Sequence, residues 1–351
     1  MLEYIKDENI WDCLKNSTKP IVLYGMGLGA EKIMDTMAGI GIEVSDIFAS
    51  DEFVRGHSFR GYKVLKYSDV CEKYDDFYVV LCFASRLDSV IEKVAQINKE
   101  HTVFAPDVPV AGGGLFTREY IAENEDKFNL VYENLADDES RRVYLDILRF
   151  KVSGRIEYLL SSFTEKNCIY RDILALTDSE TILDLGAYDG DTIREFCRAT
   201  DGRYTSITAL EPDPKNYKKL LRNTQGMNNV TCLNMGAWDK EDTLIFSTKA
   251  GRNSRLSAEG TGVKVTDIDT LGIPASFIKM DIEGSELRAL CGMEQTIIKY
   301  KPKLYVCAYH RNEDLFSLPL KIWDICPDYK LYFRHSKYIP AWESNFYAAV
   351  R

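Results

Sequence analysis

Apolar runs alternate with glycine turns and amphipathic stretches in a way that divides the chain into three parts. Ile21-Val22-Leu23-Tyr24 reads as a buried strand, a glycine turn and a helical stretch to Ala38 follow it, and residues 42–48 and 77–82 supply two further strands. This order predicts a small α/β domain over residues 1–110, with Pro106, Pro109 and Gly112-Gly113-Gly114 breaking the pattern at its end. Between residues 111 and 177 strand signals vanish. Leu145, Leu148, Val152, Ile156, Leu159 and Leu160 recur there at helical spacing, which predicts a helical bridge. From residue 178 to 351 strands are expected at Thr181–Leu185 and at residues 206–211, 230–235, 276–281, 303–308, 329–334 and 345–350. The last two leave no room for a helical crossover and predict an antiparallel pair at the edge of a mostly parallel, doubly wound seven-stranded sheet.

Composition narrows the function classes. At 351 residues, two domains are the default expectation, and 45% hydrophobic with 12% aromatic residues is enough for packed cores. A net charge of -10 argues against a nucleic-acid partner, because phosphate backbones are held by clustered Lys and Arg. Residues Met1 to Glu8 show neither the basic nor the apolar part of an export signal, and no later run reaches membrane-spanning length. A cytoplasmic protein without a membrane partner is therefore expected. Nine cysteines with no Cys-x-x-Cys pair read as reduced thiols, not as a zinc site or disulfide framework.

The chemistry concentrates at strand ends. Ile182-Leu183-Asp184-Leu185 runs into Gly186-Ala187-Tyr188-Asp189-Gly190-Asp191, a strand-to-helix corner where Gly186 and Gly190 permit close approach of a ligand. Carboxylates as dense as Asp184, Asp189 and Asp191 repel a pyrophosphate and suit a cationic nucleoside such as S-adenosylmethionine. About twenty residues on, Glu211 ends the next strand, followed by Pro212, and is placed to accept both ribose hydroxyls. Asn234, Gly236 and Ala237 at the third strand end fit beside an adenine, with Asn234 or Asp239 reading the base edge. The run Lys279-Met280-Asp281-Ile282-Glu283-Gly284-Ser285-Glu286 closes the fourth strand, where an acceptor would meet the methyl donor. Asp281, Glu283 and His310 are the candidate catalytic residues, with Asp281 or His310 taking the acceptor proton. Asp281 also stands close enough to contact the cofactor, whereas Glu286 is expected to face water. No metal ligands are assigned, although an ion between Asp281 and nearby carboxylates stays an open alternative.

On these motifs the chain from about Ile182 onward resembles the FkbM family of S-adenosylmethionine-dependent methyltransferases. The resemblance rests on Asp184 to Asp191, on Ile278 to Glu286, on the looser Val263 to Leu271, and on Ala308-Tyr309-His310-Arg311 and the closing strand pair. It implies a class I methyltransferase fold with a Rossmann-like sheet, Ala187 and Tyr188 within the cofactor turn, and O-methylation of sugars in natural products or glycans. The N-terminal Gly25-Met26-Gly27-Leu28-Gly29-Ala30, with Asp46 or Asp51 as ribose partners, resembles the Rossmann-like domain of PglD-type sugar acyltransferases, which implies a nucleotide sugar as acceptor. A role of this domain in forming a homo-oligomer is the other reading. The polar segment from Gly251 to Ser257, between Leu244-Ile245-Phe246 and Val263, reads either as a loop that closes over an acceptor or as a solvated hairpin loop. Two further functions stay open at this point: a nicotinamide-dependent nucleotide-sugar oxidoreductase using the N-terminal glycine turn, and a non-catalytic nucleotide-sugar-binding protein.

Overall fold

The computed structural model describes residues 1–51, 54, 56–109, 112–247, 255–256 and 261–350. An N-terminal sheet is built from β1 (Ile21–Tyr24), β2 (Asp46–Phe48), β3 (Ser58–Phe59), β4 (Tyr62–Leu65), β5 (Tyr78–Leu81) and β6 (Val103–Phe104), in the order β3-β4-β2-β1-β5-β6. Its second strand is shorter than the apolar pattern predicts. Ile42 donates its N–H to the Met37 carbonyl at 2.8 Å, so it closes the preceding helix Leu28–Gly39 instead of entering the ladder.

The second sheet begins with β7 (Thr181–Leu185), β8 (Ser206–Leu210) and β9 (Val230–Leu233). The chain then makes a small sheet from β10 (Gly236–Ala237), β11 (Asp242–Ser247), β12 (Arg255–Leu256) and β13 (Thr261–Thr266). It returns through β14 (Phe277–Met280), β15 (Lys303–Cys307), β16 (Lys330–His335) and β17 (Ser344–Ala349). The seven main strands lie in the order β16-β17-β15-β14-β7-β8-β9, and β17 runs antiparallel to both neighbours, as expected. Four residues of β7 and all of β14 are buried, because helices or sheet cover both faces, and this is why their sequences read as apolar runs broken only by Asp184 and Lys279.

Between the sheets lies the helical bridge, dominated by the helix Asp138–Ser153. One apolar core runs without a break from Val22, Tyr24 and Val79 of the N-terminal sheet, through Val143, Tyr144 and Ile147 of the bridge, to Leu183, Ile278, Phe333 and Phe346 of the main sheet. Polar contacts fix the docking: the Arg334 guanidinium donates to Asp137 at 2.7 Å and to Ser140 Oγ at 2.6 Å, and the Tyr144 hydroxyl donates to the Leu315 carbonyl at 2.8 Å. On the other face of the main sheet, Ile193 and Phe196 of the helix Asp191–Ala199 pack with Ile182, Phe277 and Tyr305. No described helix is long and apolar enough to cross a membrane.

Candidate active site

β7 and β14 are neighbours, yet the chain leaves β7 toward β8 and leaves β14 toward β15 on the opposite side. Connections that diverge from adjacent parallel strands open a crevice at their carboxyl ends. A cleft of about 480 Å³ lies there, floored by Gly186, Lys279 and Asp281. Gly186 has φ 80°, and a side chain on it would overlap the Asp281 carbonyl oxygen. The glycine is thus required by the close approach of two strand ends, a different reason from the ligand approach expected. Gly186 and Ala187 both donate their N–H groups to the Leu210 carbonyl at 3.0 Å, and Gly190, at φ 85°, donates to Ala187 at 2.7 Å before the helix begins. Ala187 and Gly190 therefore shape the turn from outside the cleft lining, whereas Tyr188 and Asp191 face the cleft.

At the end of β8, Glu211 is buried against the cleft wall, and the N–H groups of Tyr188 and Asp213 donate to its two oxygens at 2.8 Å each. These bonds fix the plane of the carboxylate. Burial nevertheless dominates and pushes its pKa up to about 7. Pro212, Gly236 and Ala237 continue the same wall. Asn234 does not reach the lining: its amide donates to the carbonyls of Glu211 (2.8 Å) and Pro212 (3.1 Å) and so braces the loop that carries Glu211. Asp239, the other residue expected at a base edge, pairs with Arg288 at 2.6 Å.

Asp184 is also placed differently from the expectation of direct cofactor contact. It is 0% exposed beneath the floor, and the register of β7 against β14 sets it beside Lys279, whose Nζ lies 3.2 Å away. Lys279 is itself 3% exposed and donates to the Gly186 carbonyl at 2.9 Å. Burial disfavours its charge, but Asp184 and Asp281 outweigh that and raise its pKa, so an ammonium is held under the cleft floor.

Asp281, Glu283 and His310 are brought together as the sequence suggests. The Tyr309 hydroxyl donates to Asp281 Oδ1 at 3.0 Å, and His310 Nε2 lies 3.4 Å from the same oxygen and 3.7 Å from Glu283 Oε2. Glu286 contradicts the expectation that it faces water. It is wholly buried, accepts the Ile282 N–H at 2.9 Å and lies 3.0 Å from His310 Nδ1, because the loop after β15 folds down onto the start of the helix Glu286–Cys291. Burial alone would lower the His310 pKa, but Glu286, Asp281 and Glu283 raise it to about 10. His310 is therefore a cation near neutral pH, which removes it from the role of ground-state base. Asp281 is only half-buried, and although desolvation pushes its pKa up, Lys279 and His310 hold it below the ordinary carboxylate value. For Glu283 burial wins over His310, and its pKa rises to about 7. Glu283 occupies a left-handed backbone conformation at φ 57°, and the Arg311 Nε donates to the next carbonyl, Gly284, at 2.8 Å. Asp281, Glu286 and His310 bring ligand atoms within 4.8 Å of one another, but the imidazolium already supplies the positive charge among them.

The remaining walls come from residues not singled out in the sequence. Lys166, on the bridge, lies 3.4 Å from Glu195 and 3.3 Å from Glu343, and all three line the cleft with Tyr309 and Trp342. Residues Ala84 to Leu87, after β5, close the far side. The N-terminal glycine turn is packed by its own domain: Phe83 occupies the space beside Gly25, and the Cys82 carbonyl lies where a side chain at position 29 would project. Asp46 stands at the amino end of β2, paired with Lys73 at 2.7 Å, which is the wrong end of the strand for a ribose partner. Asp51 lies beyond the carboxyl end of β2 and is exposed. Apart from the backbone of β12, the Gly251 to Ser257 segment falls outside the described residues.

A seven-stranded sheet of this order, with its crevice at the switch between β7 and β14, defines the Rossmann-like fold of class I methyltransferases. Residues 184–332 match the methyltransferase FkbM domain. Over 96% of its length the chain is similar to the crystal structure of methyltransferase FkbM from Methylobacillus flagellatus KT, covering 92% of that chain with a TM-score of 0.74 and 25% identity. The N-terminal sheet and bridge are thus within the similarity. Precorrin-6y C5,15-methyltransferase from Geobacter metallireducens GS-15 matches 52% of this chain and 85% of its own at a TM-score of 0.34 and 12% identity. Aeropyrum pernix fibrillarin, solved with natively bound S-adenosyl-L-methionine, matches 53% and 73% at a TM-score of 0.35 and 11% identity. No curated protein matches the chain.

Proposed function

We propose that the protein is an S-adenosylmethionine-dependent O-methyltransferase acting in the cytoplasm on a hydroxyl of a sugar, nucleotide-linked or part of a glycan, or of a related small molecule. The observation that carries this reading is a single cleft with Glu211 presented on one wall and the Asp281, Glu283 and His310 cluster on another. The donor set fits the cofactor. Gly186, Tyr188, Asp191, Glu211, Gly236 and Ala237 would hold it, with the oriented Glu211 carboxylate accepting from ribose hydroxyls. The carboxylates of Asp191, Glu211 and Asp281 favour a ligand carrying ammonium and sulfonium charge over a pyrophosphate. When bound, that cofactor supplies a methyl group on a good leaving group.

The chain's own residues do the rest. Glu283, poised at about 7, takes the proton of the acceptor hydroxyl, since a base matched to the working pH serves best. Asp281, kept anionic, orients that hydroxyl, while His310 fixes the positions of both carboxylates. Tyr309, Tyr338 and Trp342 together with Glu195 and Glu343 suit a sugar, which offers apolar ring faces to aromatics and hydroxyl donors to carboxylates. Calorimetry with S-adenosylhomocysteine tests the reading, and absence of binding to the wild-type chain would refute it.

A further inference from the structure

The cleft contains four side chains that carry positive charge, and three are already neutralised. Lys166 is shared by Glu195 and Glu343, Lys279 is paired with Asp184, and His310 lies among Glu286, Asp281 and Glu283. The fourth is Arg86, which lines the cleft from the N-terminal domain and makes no ion pair or side-chain hydrogen bond with any described residue. It is not on a loose surface loop. The Ser85 N–H donates to the Ile339 carbonyl at 2.8 Å and the Ile339 N–H returns a bond to Ser85 at 3.0 Å, so the two domains are paired like strands at this point. Lys337 pairs with Asp88 at 2.6 Å, and the Leu87 N–H donates to Ser85 Oγ at 3.2 Å. The backbone on both sides of Arg86 is thus tied down.

Arg86 is exposed at the wall of an otherwise acidic cleft, on a backbone held at Ser85 and Leu87, and with no partner among the described residues its guanidinium has its donors available to something that enters. We infer that Arg86 determines acceptor specificity by receiving an oxyanion, a carboxylate or a phosphate, carried by the acceptor away from the hydroxyl that is methylated. The inference rests on the methyltransferase reading for the reacting end and adds the chemical class of the other end. The planar fork of Arg binds either oxyanion through two parallel hydrogen bonds, which a Lys ammonium cannot reproduce. The acidic groups on the opposite walls reject an anion placed the wrong way round, so the same charge distribution also sets the orientation of the acceptor.

The test uses the full chain loaded with S-adenosylhomocysteine and titrated calorimetrically with methyl glucoside, methyl glucuronoside, glucose 1-phosphate and UDP-glucose. At least one anionic probe should bind about tenfold or more tightly than the neutral glucoside. Arg86→Ala should abolish that preference, and Arg86→Lys should retain part of it, with S-adenosylhomocysteine affinity unchanged in both. Which anionic probe is preferred separates a carboxylate-bearing from a phosphate-bearing acceptor. Anionic probes that bind no better than the glucoside, or a preference that survives in Arg86→Ala, would overturn the inference. A wild-type chain that fails to bind S-adenosylhomocysteine refutes the methyl-donor reading instead, and the oxyanion preference is then judged from the same titrations without it.

Discussion

Replacement of Lys279 by Met isolates the electrostatic arrangement beneath the cleft. The ammonium faces a carboxylate of zero exposure at 3.2 Å and donates to the Gly186 carbonyl at 2.9 Å. Taking one partner from a buried ion pair leaves the other uncompensated, which costs about 3–5 kcal/mol, and the lost carbonyl bond adds about 1 kcal/mol. Asp184 escapes this by protonation, because burial already raises its pKa and Lys279 is the group that holds it down. In the variant its folded pKa lies further above the unfolded value, so the folded state binds the extra proton. The stability deficit must therefore shrink as pH falls and widen as it rises. Urea unfolding followed by tryptophan fluorescence at pH 5 and pH 7.5 measures this. Lys279→Met combined with Asp184→Asn should recover all but about 1–2 kcal/mol, since no charge is then stranded. A single variant within about 1 kcal/mol of wild type, or a double variant no better than the single, would show that the pair does not carry the charge balance described.

Three other outcomes are expected. Glu283→Gln should lower kcat by about 10²–10⁴-fold, and the wild-type kcat/KM should rise with pH through about 7 as the base loses its proton, a limb that the variant lacks; a variant with the same rising limb would reassign the base. Glu211→Ala should weaken S-adenosylhomocysteine binding by about 10–100-fold, corresponding to about 1.5–3 kcal/mol for hydrogen bonds to a charged acceptor, read by calorimetry; unchanged affinity would remove Glu211 from the ribose. Because its folded pKa of about 7 exceeds the unfolded carboxylate value, Glu211 also subtracts stability as pH rises from about 4 to 7, so Glu211→Gln should flatten the pH-stability curve of the ligand-free protein.

The main sheet was legible because β7, β8, β14 and β15 are covered on both faces and so appear as short apolar runs with turn residues between them. β3 and β6, at two residues each, are too short to leave a pattern. Within the site, the turn at Gly186 and the acids at Glu211, Asp281 and Glu283 stood out because strand ends in this architecture face the crevice. What each does was less legible. Asp184 looked like a ligand contact because its partner is set by the register between β7 and β14, which no local spacing reveals. Glu286 looked solvent-facing because the His310 loop that packs against it comes from a distant part of the sequence. Lys279 did leave a trace, a lone cation inside an apolar strand two positions before Asp281, on the same face. Lys166, Glu343 and Arg86 left none, since they come from the bridge, the approach to β17 and the other domain.

The reciprocal backbone pairing of Ser85 with Ile339 has a consequence for the order in which the molecule becomes competent during synthesis. The groups proposed to hold the methyl donor are all present once β14 has emerged. The acceptor wall waits for Tyr338, Trp342 and Glu343, and with them for the N-terminal loop to find its partner strand. A chain ending before this point would lack Tyr338, Trp342 and Glu343 together with β17, so the last-made part of the protein decides when the recipient side of the cleft can be completed.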